Sequence, residues 1–340
     1  MKKRELYIDM LNIVACFCVI CMHCNGIVHT YTGTEAWKQS MVVETLAYWA
    51  VPVFFMLSGA TLTNYRERYD TKAYLLKRVV RVGIPFLAWT IINLVWKSYV
   101  GRIEFKWSLQ YIISLFMNNK IENVYWFFAP LFSCYLCIPV LSMLKDNRKV
   151  LKYMAVCGLV TYSILPVLCQ ICGITYNSSL YFPMAGGYII YVILGYLLST
   201  EDIGRKSRYC IYGSAIFCII IRYFSTVLLS KKIGELYKVF WGYTNFPAVG
   251  LAIGVFVLFK YIKWDKLFSD NTKVKFIKNV ASASFGIYLI HMIVINGFYW
   301  YGVNTQGTKW RVLGPFVVYG LSLTIVKIMQ RIPGIRKIIP

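Results

Sequence analysis

Five ionisable side chains fall within or beside long apolar runs of this 340-residue chain: Asp9, His23, Glu44, Arg222 and His291. Such groups are costly at membrane depth, so each marks a place where chemistry or a specific pairing is needed. His23 is the sharpest of them, because an imidazole takes up and releases a proton near neutral pH. On a helix expected over 6–25, Asp9, Asn12, Cys16 and His23 fall within about 60° of one line at ~100° per residue. They form a polar stripe aimed at neighbouring helices rather than at lipid. Asn12 and His23 differ by ~16 Å in depth, which places one near each mouth of a bundle.

Glu44 is expected about three residues inside the outer end of the second run, at a depth similar to His23 on an antiparallel neighbour. A carboxylate beside an imidazole fixes its tautomer and stabilises the imidazolium. The alternatives for Glu44 are a bond to a tyrosine or backbone group, or snorkelling to the interface. His291 reads first as a helix-packing histidine, and His29, in the first outer loop, carries less information. A second constellation runs Arg66, Arg68, Lys72, Lys77, Arg78 and Arg81. Arg78 and Arg81, at i and i+3, point to one side of a helix end. Two guanidiniums on one face suit a polyanion with separated phosphates. Headgroup anchoring explains any one of these charges, but less well why two arginines continue into the span.

The chain's eleven cysteines lie inside spans, several of them at i, i+3. A metal or redox site would draw histidines or further cysteines from loops. Small apolar packing residues are the simpler account, and no metal site is expected.

The elements that must position these residues follow from composition. The chain is 58% hydrophobic and 15% charged, against roughly a quarter charged in a soluble domain. Its apolar runs have the length of about 20 residues that a helix needs to cross hydrocarbon. A two-domain soluble enzyme is excluded. The expected spans are 6–25, 41–63, 79–99, 124–144, 151–172, 182–199, 209–229, 243–262, 280–300 and 311–329, helices rather than barrel strands. The fold class is therefore an all-α polytopic membrane bundle of about ten transmembrane helices, a single membrane-embedded domain over 1–340.

Net charge is +23, and the 37 Lys and Arg divide into 26 at the termini and alternate loops, 10 in the other loops, and Arg222 inside a span. That bias sets both termini in the cytoplasm. Spread over six segments, the charge does not make a nucleic-acid face. Lys2, Lys3 and Arg4 open the chain as a signal peptide would, but no small-residue cleavage site follows, so the segment reads as an uncleaved first helix. The largest loop, about 100–123, holds an amphipathic stretch from Trp107 to Met117 suited to the outer interface. No loop is long enough to fold alone, which leaves the bundle and its mouths as the place for chemistry.

Taken together, these pieces resemble the acyltransferase-3 family of integral-membrane acyltransferases over essentially the whole chain. The resemblance rests on Tyr7-Ile8-Asp9-Met10-Leu11 with His23 at the far end of the helix; Val51-Pro52-Val53-Phe54-Phe55-Met56-Leu57-Ser58-Gly59; Lys77-Arg78-Val79-Val80-Arg81 followed by Ile84-Pro85; Trp126-Phe127-Phe128 with Tyr135 and Pro139; and Tyr288-Leu289-Ile290-His291. It implies transfer of an acyl group, usually acetyl, from cytoplasmic acyl-CoA to a hydroxyl or amine of a cell-envelope glycan or glycolipid. It implies His23 as the catalytic histidine; the residues themselves leave it either general base or transient acyl carrier, with Glu44 as its candidate partner. Arg78 and Arg81, with Lys77, are implied as contacts of the CoA phosphates. Acyl-CoA is then a co-substrate, and no permanently bound cofactor is expected. The partners are acyl-CoA, the acceptor, membrane lipids of the cell membrane and, in a homo-oligomer, further copies of the chain. Many relatives carry Arg eleven residues before the histidine, where this chain has Asn12; an amide cannot neutralise phosphate, so an acyl-CoA contact there is of another kind.

Two competing readings have no acyl transfer. A secondary transporter would use the interruptions at Pro166, Pro183–Gly187 and Pro247–Gly254 as a substrate path, but the halves show no inverted-repeat similarity. A membrane module handling a small amino acid would resemble family members fused to a soluble enzyme such as a racemase.

Overall fold

A computed structural model describes residues 5–101, 103, 106 and 108–340. Among them there is no strand. The α-helices are, in chain order, α1 Leu6–Cys24, α2 Glu35–Ala47, α3 Ala50–Leu62, α4 Thr71–Arg78, α5 Ile84–Tyr99, α6 Leu109–Met117, α7 Phe128–Met143 and α8 Arg148–Gly158. They continue as α9 Leu165–Ile171, α10 Ile189–Thr200, α11 Arg205–Ile233, α12 Phe246–Tyr261, α13 Trp264–Leu267, α14 Asn271–Trp300 and α15 Thr308–Met329.

Among the described residues, eight helical stretches are long and apolar enough to cross a membrane: Leu6–Cys24, Glu35–Glu67, Thr71–Tyr99, Asn123–Met143, Arg148–Ile171, Arg205–Ile233, Asn271–Trp300 and Thr308–Met329. The protein is a multi-pass membrane protein. Several stretches are broken where proline removes a backbone donor. Pro52 cannot bond to the carbonyl of Tyr48, and the helix breaks there between α2 and α3. Pro85 and Pro166 likewise leave the carbonyls of Arg81 and Tyr162 without their usual partner. The chain widens into π-helical turns at Val79–Gly83 and Leu159–Ile164, just upstream.

The spans expected over 182–199 and 243–262 are shorter than anticipated. Only Ile189–Thr200 and Phe246–Tyr261 are α-helical, ~18 and ~24 Å long against a hydrocarbon core of ~30 Å. Before α10 the chain makes single 3-10 turns at Ser178–Leu180 and Pro183–Ala185, then passes through Gly187 at φ +57°. Non-helical backbone at this depth is tolerated when protein surrounds it. Ala185, Ile190, Tyr191 and Val192 are fully buried.

α3 and α10 form the most intimate helix pair, and glycine makes it. A Cβ on Gly59 would land on the Val192 carbonyl oxygen, and one on Gly195 on the Met56 carbonyl. Without water to drive association, close backbone packing through small residues is what holds such helices together. Gly59→Ala is therefore expected to lower the yield of monodisperse protein in detergent and its melting temperature, because backbone rather than a flexible side chain would have to move. Cys218 takes a packing role of the same kind: a Cβ at Gly250 would meet its Sγ at 2.6 Å.

The peripheral helices turn apolar side chains outward. Ile216, Phe217, Ile220, Phe224 and Leu228 on α11 are all exposed, as a lipid-facing surface requires. The stretch expected from Trp107 forms α6; Trp107 itself lies outside the described residues. Leu115 packs against Leu94 and Ile121, while Leu109, Ile113 and Met117 stay exposed along one side.

Candidate active site

The polar face of α1 meets α14. Asn12 Nδ2 donates to the Ala281 carbonyl at 3.1 Å, Cys16 Sγ to the Ser284 carbonyl at 3.5 Å, and the rings of His23 and His291 lie 5.1 Å apart at 36°. The sequence offset between partners stays at 268–269 over the whole contact, so the two helices run parallel and in register. The polar stripe expected on α1 thus faces a neighbouring helix, and Asn12 and Cys16 are bonded to its backbone. In a medium without water, each polar group on a helix bonds to a neighbouring backbone, and the amide of Asn12 already donates into α14.

At the top of this ladder, His23 is half-buried and His291 is fully buried. The Nδ1 of His291 lies 2.6 Å from the Tyr288 carbonyl oxygen, while its Nε2 is buried with no hydrogen-bond partner. The turn behind it is tied down from two sides. The Tyr288 hydroxyl donates to the Val124 carbonyl, and the Tyr125 hydroxyl donates to the Leu289 carbonyl at 2.8 Å. Tyr125 in turn accepts from Asn93 Nδ2 on α5 at 3.1 Å. Nothing in the one-dimensional chain aligned residues 23 and 291. The only available signal was that both histidines lie in apolar runs.

Glu44 is not the partner of His23. Its carboxylate faces Arg222 of α11, with Oε1 3.9 Å from Nη2, and Arg222 Nη1 donates to the Glu44 backbone carbonyl at 3.5 Å. Both residues are buried. The physical reason is the order of costs: a neutral imidazole survives burial alone, but a buried guanidinium without a counter-charge does not. Glu44 also sits further into its helix than expected, because α2 begins at Glu35. Arg222 is stacked over Tyr48, its Cζ 3.3 Å from the ring centroid, with the Trp241 ring at 5.5 Å. The Tyr48 hydroxyl donates to the Trp241 carbonyl, and Tyr48 stacks on Tyr243 at 4.2 Å.

Arg311 is a residue that sequence reasoning passed over. At the start of the last span it reads as a flanking charge; in the fold it is buried and ties three elements. Nη1 donates to the Ala36 carbonyl at 2.6 Å and to Ser40 at 3.2 Å, and Nη2 to Gln39 at 3.1 Å. Its own carbonyl accepts from Asn25 Nδ2 at 3.2 Å. Asn25 Nδ2 also caps Cys21, and Asn25 Oδ1 accepts from Ser40. The last turn of α1, which carries His23, is thereby held against α2 and α15.

The basic cluster lies at the opposite end of the bundle, where Glu67 pairs with Lys145 at 2.7 Å. Arg78 and Arg81 do not share a face. The π-helical turn between them changes their relative direction: Arg78 is half-buried between Tyr74 and Tyr135, with its Cζ 5.8 and 5.6 Å from their ring centroids, while Arg81 is exposed. Lys77 sits 3.5 Å over the Tyr69 ring. Tyr65 stacks on both Tyr69 and Tyr74, at 5.8 and 4.4 Å. Among the described residues, Lys77, Arg78 and Arg81 form no ion pair. Lys77 and Arg78 are cations steadied by aromatic faces, and Arg81 is an exposed one.

A family profile described as an acyltransferase domain matches residues 5–329 of the chain. No curated protein and no solved structure matches it.

Proposed function

The chain belongs to the acyltransferase-3 family, and from that premise we propose that it transfers an acyl group, most simply acetyl, from acyl-CoA to a hydroxyl of a cell-envelope glycan or glycolipid. The observation that carries the reading is a half-buried imidazole, His23, held at one end of an apolar bundle and backed by a second imidazole. At the other end Lys77, Arg78 and Arg81 present uncancelled positive charge. The charge bias supports placing the arginine end in the cytoplasm of a cell membrane.

In this reading the CoA phosphates rest on Lys77, Arg78 and Arg81, and the long, flexible pantetheine arm carries the thioester into the bundle. The thioester approaches His23 without displacing Asn12 or Cys16, which are already bonded into α14. The acceptor hydroxyl approaches from the His23 end. His23 takes the hydroxyl proton as the oxygen adds to the thioester carbonyl. The C–O bond forms, the C–S bond breaks, and the proton passes from His23 to the departing sulfur, releasing CoA as its thiol. Glu44 holds Arg222 rather than His23, so it supports the wall of the site and does not touch the reacting atoms.

Purified protein given labelled acetyl-CoA and an envelope extract should release CoA and label an acceptor. Solute accumulation in vesicles without CoA consumption would overturn the reading in favour of transport. Arg78→Ala combined with Arg81→Ala should raise the KM for acyl-CoA about tenfold or more, since charge-assisted hydrogen bonds contribute ~1.5–3 kcal/mol each. The KM for the acceptor should stay within a factor of about two. An unchanged donor KM would assign the arginines to lipid headgroups instead.

A further inference from the structure

We infer that His291 is a positioning residue for His23, accepting a hydrogen bond from it through Nε2; this rests on His23 being the reactive imidazole. A carbonyl oxygen can only accept, so the 2.6 Å contact with Tyr288 assigns the proton of His291 to Nδ1. The neutral ring then carries a lone pair on Nε2 and nothing else. That nitrogen is buried and has no partner. An unmet acceptor in an apolar interior is costly. Two polar rings lie against His291: that of Tyr288, at 5.6 Å between centroids, whose hydroxyl is already donated to the Val124 carbonyl, and that of His23, at 5.1 Å. An N–H on the facing edge of His23 is the donor assigned to that site.

The arrangement does what the carboxylate does in a serine-hydrolase triad: it selects one tautomer of the reactive imidazole and turns its free lone pair toward the substrate. It does so with a neutral group. An isolated carboxylate at this depth would itself have to be neutralised, and the buried carboxylates of Glu44 and Glu122 are committed to Arg222 and Lys97. His291 can stay neutral because its own orientation is set by backbone: Nδ1–H bonds to its own helix, and Tyr288 and Leu289 are bonded to the segment before α7. When His23 takes the acceptor proton, the positive charge forms beside the Nε2 lone pair.

Two substitutions separate positioning from packing. His291→Asn keeps a donor for the Tyr288 carbonyl but has no atom at the Nε2 position. His291→Gln reaches that position with an amide oxygen that accepts, but gives up the Tyr288 bond. A packing role ranks Asn above Gln; positioning ranks Gln above Asn. In folded, full-length protein, His291→Asn should lower kcat roughly a hundredfold with the KM for acetyl-CoA nearly unchanged, and His291→Gln should recover about tenfold of that loss. An independent readout is carbethoxylation of His23 by diethylpyrocarbonate, followed by mass spectrometry with the exposed His29 as internal reference. Relative to wild type it should slow several-fold in His291→Asn and less in His291→Gln. Equal His23 labelling in all three proteins, or Asn at or above Gln in both assays, would overturn the inference. If wild type transfers no acyl group, the functional reading fails, and the labelling order alone still decides whether His291 positions His23.

Discussion

His23→Ala is expected to abolish acyl transfer while leaving a folded membrane protein. General acid–base catalysis contributes about a hundredfold to ten-thousandfold, and an alanine has nothing with which to take the acceptor proton. The fold should survive because the last turn of α1 is held by Asn25, through its bonds with Cys21, Ser40 and Arg311, rather than by the imidazole. The check is CoA release from labelled acetyl-CoA, read beside an unchanged gel-filtration profile in detergent. Activity within about tenfold of wild type would remove His23 from the chemistry.

The Glu44–Arg222 pair should respond in the opposite sense, in stability first. Removing one partner leaves a buried charge without its counter-charge, a loss of ~3–5 kcal/mol. Arg222→Leu also forfeits the cation–π contact with Tyr48. The double variant Glu44→Leu with Arg222→Leu leaves no charge behind, and an apolar pair in place of a buried ion pair is often neutral or better. Thermal unfolding in detergent should therefore show each single variant melting well below wild type, with the double variant recovering most of the loss. If the double variant instead melts below both singles, the two residues do not form a pair. A double variant that melts like wild type but has lost kcat would return Glu44 to a place beside the reacting atoms.

The expected partner of His23 was wrong in an instructive way. Depth along two helices is readable from a sequence, and it put Glu44 and His23 at similar levels. Direction around the helix axis depends on which neighbour supplies the strongest compensating charge, and the buried guanidinium of Arg222 lies nearly 180 residues further along the chain. Arg78 and Arg81 show the same limit at shorter range. Their i, i+3 spacing implies a shared face only if the turn between them is α-helical, and Pro85 widens it. The proline was visible; where the ladder would give way upstream of it was settled by packing. The two short central helices are similar. Their prolines and glycines were plain in the sequence, but whether the chain there still spans depends on the protein around it.

By itself the sequence determined that this is an all-helical protein of the membrane, where apolar runs fall, which few polar residues are trapped among them, and a resemblance to a family of acyltransferases. Those properties follow from the cost of an unpaired polar group in hydrocarbon, which acts on each segment separately. Only the tertiary structure decided which trapped groups meet: His23 with His291, Glu44 with Arg222, Asn12 and Cys16 with the backbone of α14, and Arg311 with the end of α1. These pairings are between helices distant in sequence, and their energies depend on register, rotation and burial, which no segment carries alone.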